Sequence, residues 1–504
     1  MALSATSPSS AKNPHWLSPA IITAVSLIAL TLRLHMIGAR SFWVDEGISV
    51  AIARLSWSDF FGILWRREGN MSLYYILLRG WLFFAHSDAT IRALSAVAST
   101  AVVIAIYFLG NKFFDRNTGA IAAILLALNV FHIRYAQEAR SYALLSLALV
   151  LATWCSVSAV ESESQNKWAL YAIVSAAAIY LHFFAVLVIG AHFLSAIIWK
   201  RPIPWRNIFV SAVLFALLVL PVAAFLHANS QNHQLDWVKF PTGREFYGFL
   251  LLFTGQAGII MLCASLVIAA FAIAQLILES RKHDNSHKTF PLGVITLWLF
   301  LPTIATLAIS LAHPIFVPRY MTISLPALAL VLARGISMFP QKWRSLPLVI
   351  LLAFSAWGVH NYYATIADTP EDWRSAAQFF STHVQSDDSV LFNNGSTRAV
   401  FEYYASRNSG SPLRNISFPS HGDQMTMRDF EGVPNLPFVK FKTRNITRLW
   451  VVDWIVNSSA ASLLDQSFHQ SESQNFQDVT VSLYVRNPAE SSATNVTPVT
   501  PPQK

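Results

Sequence analysis

Eleven apolar runs fill the first 361 residues, at roughly 18–38, 91–110, 118–133, 141–160, 168–181, 183–199, 207–226, 257–279, 290–312, 321–338 and 345–361. A helix needs about 20 mostly apolar residues to cross a bilayer. Inside the hydrocarbon each backbone polar group must be satisfied by the protein itself, and a helix does this within one segment. The pattern therefore predicts a polytopic α-helical membrane protein of about 11 spans, occupying 18–361. The run 168–181 is short for a span. Composition agrees, with 54% hydrophobic and 12% charged residues, far from the balance of a soluble domain. The first run follows polar residues 1–17 and has no small-residue cleavage site behind it, so it reads as a retained span and 1–17 as a cytoplasmic tail.

Two further stretches are apolar but do not read as spans. Residues 71–86 (MSLYYILLRGWLFFAH) are short and carry Arg79 centrally. Residues 48–67 (ISVAIARLSWSDFFGILWRR) read as one or two interfacial helices, the second capped by Ser58 or Asp59. Both are expected to lie on the membrane surface, in the first outer loop.

Charge tests that layout. With the N-terminus inside, the inner loops hold Lys12, Lys112, Lys167, Lys200, Lys282, Lys288 and Lys342, while the outer loops hold only Lys239. Lysine thus follows the positive-inside rule. Arginine does not: the outer segments carry Arg40, Arg54, Arg66, Arg67, Arg79, Arg134, Arg140, Arg244 and Arg319. Arginine is suited to bidentate phosphate binding, so a phosphate-bearing substrate on the outer face would explain the excess. The net charge of +9 fits cytoplasmic loops facing anionic lipid and gives no reason to expect nucleic acid.

After Asn361 the character changes. Helix-like EDWRSAAQFFSTHV (371–384), strand-like SVLFNN (389–394), helix-like TRAVFEYYASR (397–407), strand-like RLWVVDWIV (448–456), helix-like SAASLLDQSF (459–468) and strand-like VTVSLYVR (479–486) alternate. This predicts a C-terminal α/β domain over 362–486, placed outside by loop parity. Residues 487–504 are Ser/Thr/Pro/Asn-rich and read as a disordered tail. Sequons beside Asn394 and at Asn415, Asn445, Asn457 and Asn495 are compatible with an outside location. The two cysteines, Cys155 and Cys263, lie inside apolar runs. They offer neither a disulfide framework nor a metal spacing and read as core packing.

The outer segments converge on one kind of chemistry. RSFWVDEG supplies Asp45 and Glu46, WRREGNMSLYY supplies Glu68 and Asn70, and FHIRYAQEARSY supplies Arg134, Glu138, Arg140 and Tyr142. YLHFF supplies His182, and HPIFVPRY supplies Arg319 and Tyr320. Each has an ordinary explanation alone. The acidic pair suits the positive first turn of a helix, His182 could be a satisfied interfacial histidine, and the arginines could snorkel to headgroups. Together they put carboxylates and arginines from five segments on one face, and ionisable residues at membrane depth point to function. An aspartate beside phosphate-binding arginines suits deprotonation of a hydroxyl or amine while a phosphate departs. Arg134, Arg140 and Arg319 would take up the phosphate charge. No P-loop, GxGxxG, HExxH or Gly-x-Ser-x-Gly motif occurs, so the energy source is expected in the substrate, an activated lipid phosphate.

The ordered set WVDEG, LYY, FHIRYAQEARSYALL, YLHFF, PIFVPRYM and EDWRSAAQFF resembles the GT-C superfamily of membrane glycosyltransferases, and within it the bacterial dolichyl-phosphate-mannose-protein mannosyltransferase-like group, over about 1–400. The resemblance implies inverting transfer of a sugar from a polyprenyl-phosphate carrier on the extracytoplasmic face of a bacterial inner membrane. It implies that Asp45, with Glu46 beside it, is the catalytic base, that Arg319 binds the carrier phosphate, and that Glu138, Arg140 and Tyr142 line the site. Many relatives carry His-Pro-Pro before Leu-Tyr-Tyr. Here Asn70, Met71 and Ser72 stand there, which removes the histidine and leaves Glu68 as the nearest titratable group.

Two other functions use some of these features. A flippase of lipid-linked sugars would grip a phosphate with the same arginines, but no internal repeat is visible and the polar groups cluster on one face instead of at mid-membrane. A scaffold recruiting a partner through the C-terminal domain needs one or two spans as an anchor, not eleven. No cofactor is assigned. An acidic pair could hold a divalent ion, but no third ligand stands at a suitable spacing. The sugar and the acceptor (protein, lipid or glycan) are not encoded in any motif.

Overall fold

All eleven apolar runs are built mainly of helix in the computed structural model, which describes residues 17–162, 164–199, 204–230, 237–281, 286–368, 370–409, 416–418, 425–430, 439, 443–454, 460–464 and 467–488. The expected cytoplasmic tail up to residue 16, the sequons at Asn415, Asn457 and Asn495, and the tail from residue 489 lie outside the described residues. The membrane part begins with α1 (Leu17–Leu34), followed by α2 (Val44–Arg54), α3 (Trp57–Arg66), α4 (Ser72–Trp81), α5 (Asp88–Phe113), α6 (Arg116–Leu128), α7 (Val130–Ala136) and α8 (Tyr142–Val160). It continues through α9 (Gln165–Leu181), α10 (Ala185–Ile198), α11 (Trp205–Ala228), α12 (Gly243–Phe253), α13 (Gly258–Ser280), α14 (Ser286–Ser310), α15 (Leu325–Met338) and α16 (Ser345–Ala364). Among the described residues seven stretches are long and apolar enough to cross a bilayer: α5, α8, α11, α13, α14 from Thr289, Pro318–Met338 ending in α15, and α16.

The other four runs are shorter or bent. The run 118–133, expected as one span, is divided at Asn129 into α6 and α7, which meet at 63°. Asn129 leaves the helix with ψ 115° and its Oδ1 accepts the His132 N–H, so the break is also the cap of α7. Helix packing relies on small residues where backbones approach. A Cβ on Gly110 of α5 would stand 2.7 Å from the Cα of Gly119 in α6, so only glycine allows that crossing.

The loop after α1 forms two short helices, α2 and α3. Their junction differs from expectation. Ser56, not Ser58 or Asp59, caps α3: its Oγ accepts the Asp59 N–H at 3.2 Å and donates to Asp59 Oδ2 at 3.0 Å. The stretch 71–86 forms α4, whose ten residues at about 1.5 Å each are too short to span. It buries Tyr74, Tyr75 and Leu78 and leaves Ile76 and Leu77 exposed.

Beyond α16 comes a small mixed sheet with order β2-β1-β3-β5-β4. It comprises β1 (Ser389–Phe392), β2 (Ile416–Phe418), β3 (Arg448–Trp454), β4 (Phe468–Phe476) and β5 (Val479–Arg486), with helices α17 (Trp373–His383) and α18 (Gly395–Ser409). Strand β1 pairs in parallel with β2 and β3, while β3–β5 and β4–β5 are antiparallel. The helix expected over 459–468 is, among its described residues, a 3-10 turn at Ala460–Leu463 followed by the start of β4. The cysteine expectation holds for Cys155, which is buried. Cys263 is exposed on α13, on an apolar surface rather than in the core.

The sheet domain is fastened to the bundle at Asp88, the first residue of α5. Asp88 accepts hydrogen bonds from Tyr403 Oη at 2.8 Å and Tyr404 Oη at 2.7 Å. It also pairs with Arg374 at 2.8 Å and Arg407 at 3.1 Å.

Candidate active site

Asp45 sits in the first turn of α2, where the unpaired N–H groups favour an anion. Its side chain is 26% exposed, and its Oδ2 lies 3.6 Å from Arg140 Nη2 and 3.7 Å from Arg319 Nη2. The two arginines come from different parts of the chain. Arg140 stands in the turn between α7 and α8 and is buried. It is oriented by donating to Ser49 Oγ at 3.1 Å and to the Asp45 carbonyl at 3.3 Å. Arg319 stands in the 3-10 helix Pro318–Ser324 that leads into α15. Its guanidinium lies over the rings of Trp43, Trp237 and Tyr320, at 5.3, 5.4 and 5.6 Å. The rings confine a planar cation that would otherwise be mobile. Both arginines keep a buried Nε without a hydrogen-bond partner.

Glu46 is next in sequence but turns the other way. It is completely buried. Its Oε1 accepts from Arg92 Nε and from the Ala139 N–H, both at 2.7 Å. Its Oε2 accepts from Arg92 Nη2 at 2.6 Å and the Trp43 N–H at 3.3 Å. The pair of carboxylates expected at the surface is therefore one open aspartate and one glutamate enclosed behind it. The Ala139 contact ties the α7–α8 turn, and with it Arg140, to the start of α2.

Aromatic groups flank the arginine pair. The His182 ring centroid lies 4.6 Å from that of Tyr320 and 6.4 Å from that of Tyr142. His182 ends α9 and its Nδ1 accepts the Phe184 N–H at 3.2 Å, which leaves Nε2 as the protonated nitrogen. Burial, with Arg140 and Arg319 nearby, pushes its pKa down to about 3, so the ring is neutral. Glu138 lies 3.8 Å from Arg40 and 3.9 Å from Arg134. Burial raises its carboxyl above the ordinary range against the pull of those arginines. Beside it is a polar recess of about 350 Å³ lined by Arg40, Arg134, Gln256, Asn361, Tyr362 and Asp368 among others.

Glu68 and Asn70 sit on the flank. Glu68 Oε2 accepts from Tyr75 Oη at 2.8 Å, and Asn70 Oδ1 accepts the Phe183 N–H at 2.9 Å. Asn70 therefore braces the turn that carries His182. Of the residues expected from sequence, Asp45, Arg140, Arg319, Tyr142, Tyr320 and His182 come together; Arg134 and Glu138 lie alongside. Sequence reasoning missed Arg92, Trp43, Trp237 and Glu371. Arg92 had a signal, a lone arginine inside an apolar run. Among the described residues no three histidine, cysteine or carboxylate groups converge to hold a metal ion.

A bundle of membrane-length helices, short helices in the first loop and a small C-terminal sheet make up an ArnT-like fold, and the chain is an integral membrane protein. The resemblance carried by the ordered motifs is shown: residues 71–225 match the family model described as dolichyl-phosphate-mannose-protein mannosyltransferase. That segment contains Glu138, Arg140, Tyr142 and His182, while Asp45 and Arg319 lie outside it. Among solved structures the chain is similar to ArnT from Cupriavidus metallidurans in the apo state, with TM-score 0.64, 11% identity, and 93% of this chain and 97% of that one covered. The same protein bound to undecaprenyl phosphate gives TM-score 0.63 at 11% identity, covering 93% and 98%. The archaeal oligosaccharyltransferase AglB from Archaeoglobus fulgidus, in complex with an inhibitory peptide and a dolichol-phosphate, gives TM-score 0.50 at 11% identity, covering 95% and 75%. No curated protein matches the chain by sequence.

Proposed function

We propose that the protein is an inverting glycosyltransferase that moves a sugar from a polyprenyl-phosphate carrier to an acceptor on the extracytoplasmic face. The observation that carries this reading is the partly exposed Asp45 carboxylate standing between Arg140 and Arg319, 3.6 and 3.7 Å away. Asp45 takes the proton from an acceptor hydroxyl or amine. The acceptor atom attacks the anomeric carbon, and the bond from that carbon to the phosphate oxygen breaks. Its electron pair leaves with the phosphate, whose charge Arg140 and Arg319 receive. Glu46 holds the site together from behind and does not meet the substrate. Tyr142, Tyr320 and neutral His182 form the aromatic wall against which a sugar ring packs. Arg134 and Glu138 lie further along, towards the second polar recess.

ArnT was solved with undecaprenyl phosphate bound, which supports a carrier of this class. The lysine bias of the loops supports the outer face for Asp45, and with it an outer sheet domain and the eleven-span count. The test is turnover of a panel of radiolabelled polyprenyl-phosphate sugars by purified protein in liposomes, wild type beside Asp45→Asn. Turnover in the wild type that vanishes in the variant, with lipid still bound, supports the reading. Carrier binding without turnover in either protein points instead to transport of the lipid-linked sugar.

A further inference from the structure

We infer that Glu371 is a positioning residue through which the C-terminal sheet domain sets the place of Asp45. This rests on Asp45 acting as the base. Glu371 is 7% exposed and precedes α17. Its Oε2 accepts the Val44 N–H at 2.9 Å and the Trp373 indole N–H at 2.8 Å. Its own carbonyl accepts from Ser41 Oγ at 2.6 Å. Val44 is the first residue of α2 and the immediate neighbour of Asp45. The residue before it, Trp43, has no side chain able to cap the helix. The orphan N–H is therefore satisfied from 327 residues away in sequence, by a carboxylate of the sign the helix terminus favours. The Trp373 contact fixes the carboxylate in its rotamer, since Trp373 is itself fully buried.

The neighbouring residues of the EDWR stretch act in the same direction. Asp372 caps α17 through the Ser375 N–H at 3.1 Å. Arg374 donates to the carbonyls of Gly38, Ala39 and Arg40 at 3.0, 3.3 and 3.3 Å. The Phe42 N–H donates to Tyr404 Oη at 2.7 Å. Helix α2 also rests directly on α18: a Cβ on Gly47 would lie 2.4 Å from the Val400 Cβ. The segment leading to Asp45 is thus gripped residue by residue from the sheet domain. The domain has a separate fastening at Asp88, so removing the Glu371 carboxylate frees the first turn of α2 without releasing the domain. A displacement of about 1 Å of a catalytic group can cost about 100-fold in rate.

The experiment uses the full-length protein in lipid nanodiscs, as wild type, Glu371→Gln and Glu371→Ala. Hydrogen exchange is read on a peptide covering 41–47, together with binding of polyprenyl phosphate and the kcat and KM of carrier-sugar turnover. Expected are faster exchange at 41–47 with α17 and α18 unchanged, polyprenyl-phosphate affinity within about 2-fold, and kcat reduced by at least about 10-fold, more in Glu371→Ala than in Glu371→Gln. Unchanged exchange at 41–47 in Glu371→Gln overturns the inference, as does a loss of carrier binding that matches the loss of kcat. If Glu371→Ala fails to fold, Glu371→Gln decides. If the wild type turns over no sugar, the transferase reading fails, while the exchange data still test the positioning.

Discussion

The Glu46 carboxylate and the Arg92 guanidinium meet through two hydrogen bonds of 2.7 and 2.6 Å, with neither side chain more than 1% exposed. Arg92 also donates to the carbonyls of Ile37, Arg40 and Ser41. One buried pair therefore joins α5, the loop before α2 and the turn that holds Arg140. Removing one partner leaves an unpaired charge in a fully buried site, which costs about 3–5 kcal/mol. Glu46→Ala and Arg92→Met should each lower thermal stability in detergent strongly. The double variant should be less destabilised than the sum of the two, and a differential scanning measurement on all three proteins checks this.

Arg319 is held by rings as well as by charge, so lysine is a poor substitute. Arg319→Met should weaken polyprenyl-phosphate binding by about 10- to 100-fold, as expected for loss of a charge-assisted contact. Arg319→Lys should recover only part of that, because an ammonium lacks the planar guanidinium that lies over Trp43 and Trp237 and does not offer two parallel donors. Equilibrium binding of the carrier lipid to the two variants separates charge from geometry.

His182, with its pKa pushed down to about 3, stays a neutral imidazole between pH 5 and pH 9. The pH profile of kcat/KM should keep its shape in His182→Gln while its height falls. A lost or shifted limb in the variant would contradict the neutral-ring assignment.

Asp388 immediately precedes β1, and its oxygens accept from Arg448 Nε at 2.7 Å and the Trp450 indole at 2.8 Å. Burial would raise this carboxyl, but hydrogen bonds from Arg448, the Gln385 N–H and Trp450 outweigh it and hold the group below the ordinary aspartate range. A depressed folded value means stability that is present above the unfolded value, about 3.9, and lost as pH falls through the folded one. Hydrogen-exchange protection of β1 and β3 should therefore decline below about pH 4 in the wild type. Asp388→Asn should be weaker at neutral pH and should lose that acid dependence.

The sequence makes the apolar helices and the charged cluster around Asp45 legible because both leave strong local patterns: long apolar runs, and charged groups where lipid would exclude them. Other features left no such pattern. Cys263 lies in an apolar run yet faces outward, since lipid and protein interior are equally apolar and hydropathy cannot tell them apart. Strand β4, FHQSESQNF, is almost wholly polar and exposed, so it lacks the alternation by which a strand is read. The break at Asn129 needs one asparagine to cap a helix and to donate to the Phe253 carbonyl at once. Which arginine Glu46 holds was not legible, because its partner Arg92 lies 46 residues away. Pairings at that distance depend on how helices cross, and periodicity is silent about them.

Asp88 has a consequence for how such a chain could be rebuilt. Four donors from one helical pair, Tyr403, Tyr404, Arg374 and Arg407, converge on its two oxygens. The sheet domain is therefore plugged into a socket at the rim of the bundle, beside its grip on the segment before α2. A graft that kept those four groups and the Glu371 carboxylate could carry an unrelated sheet and still mate with the membrane half.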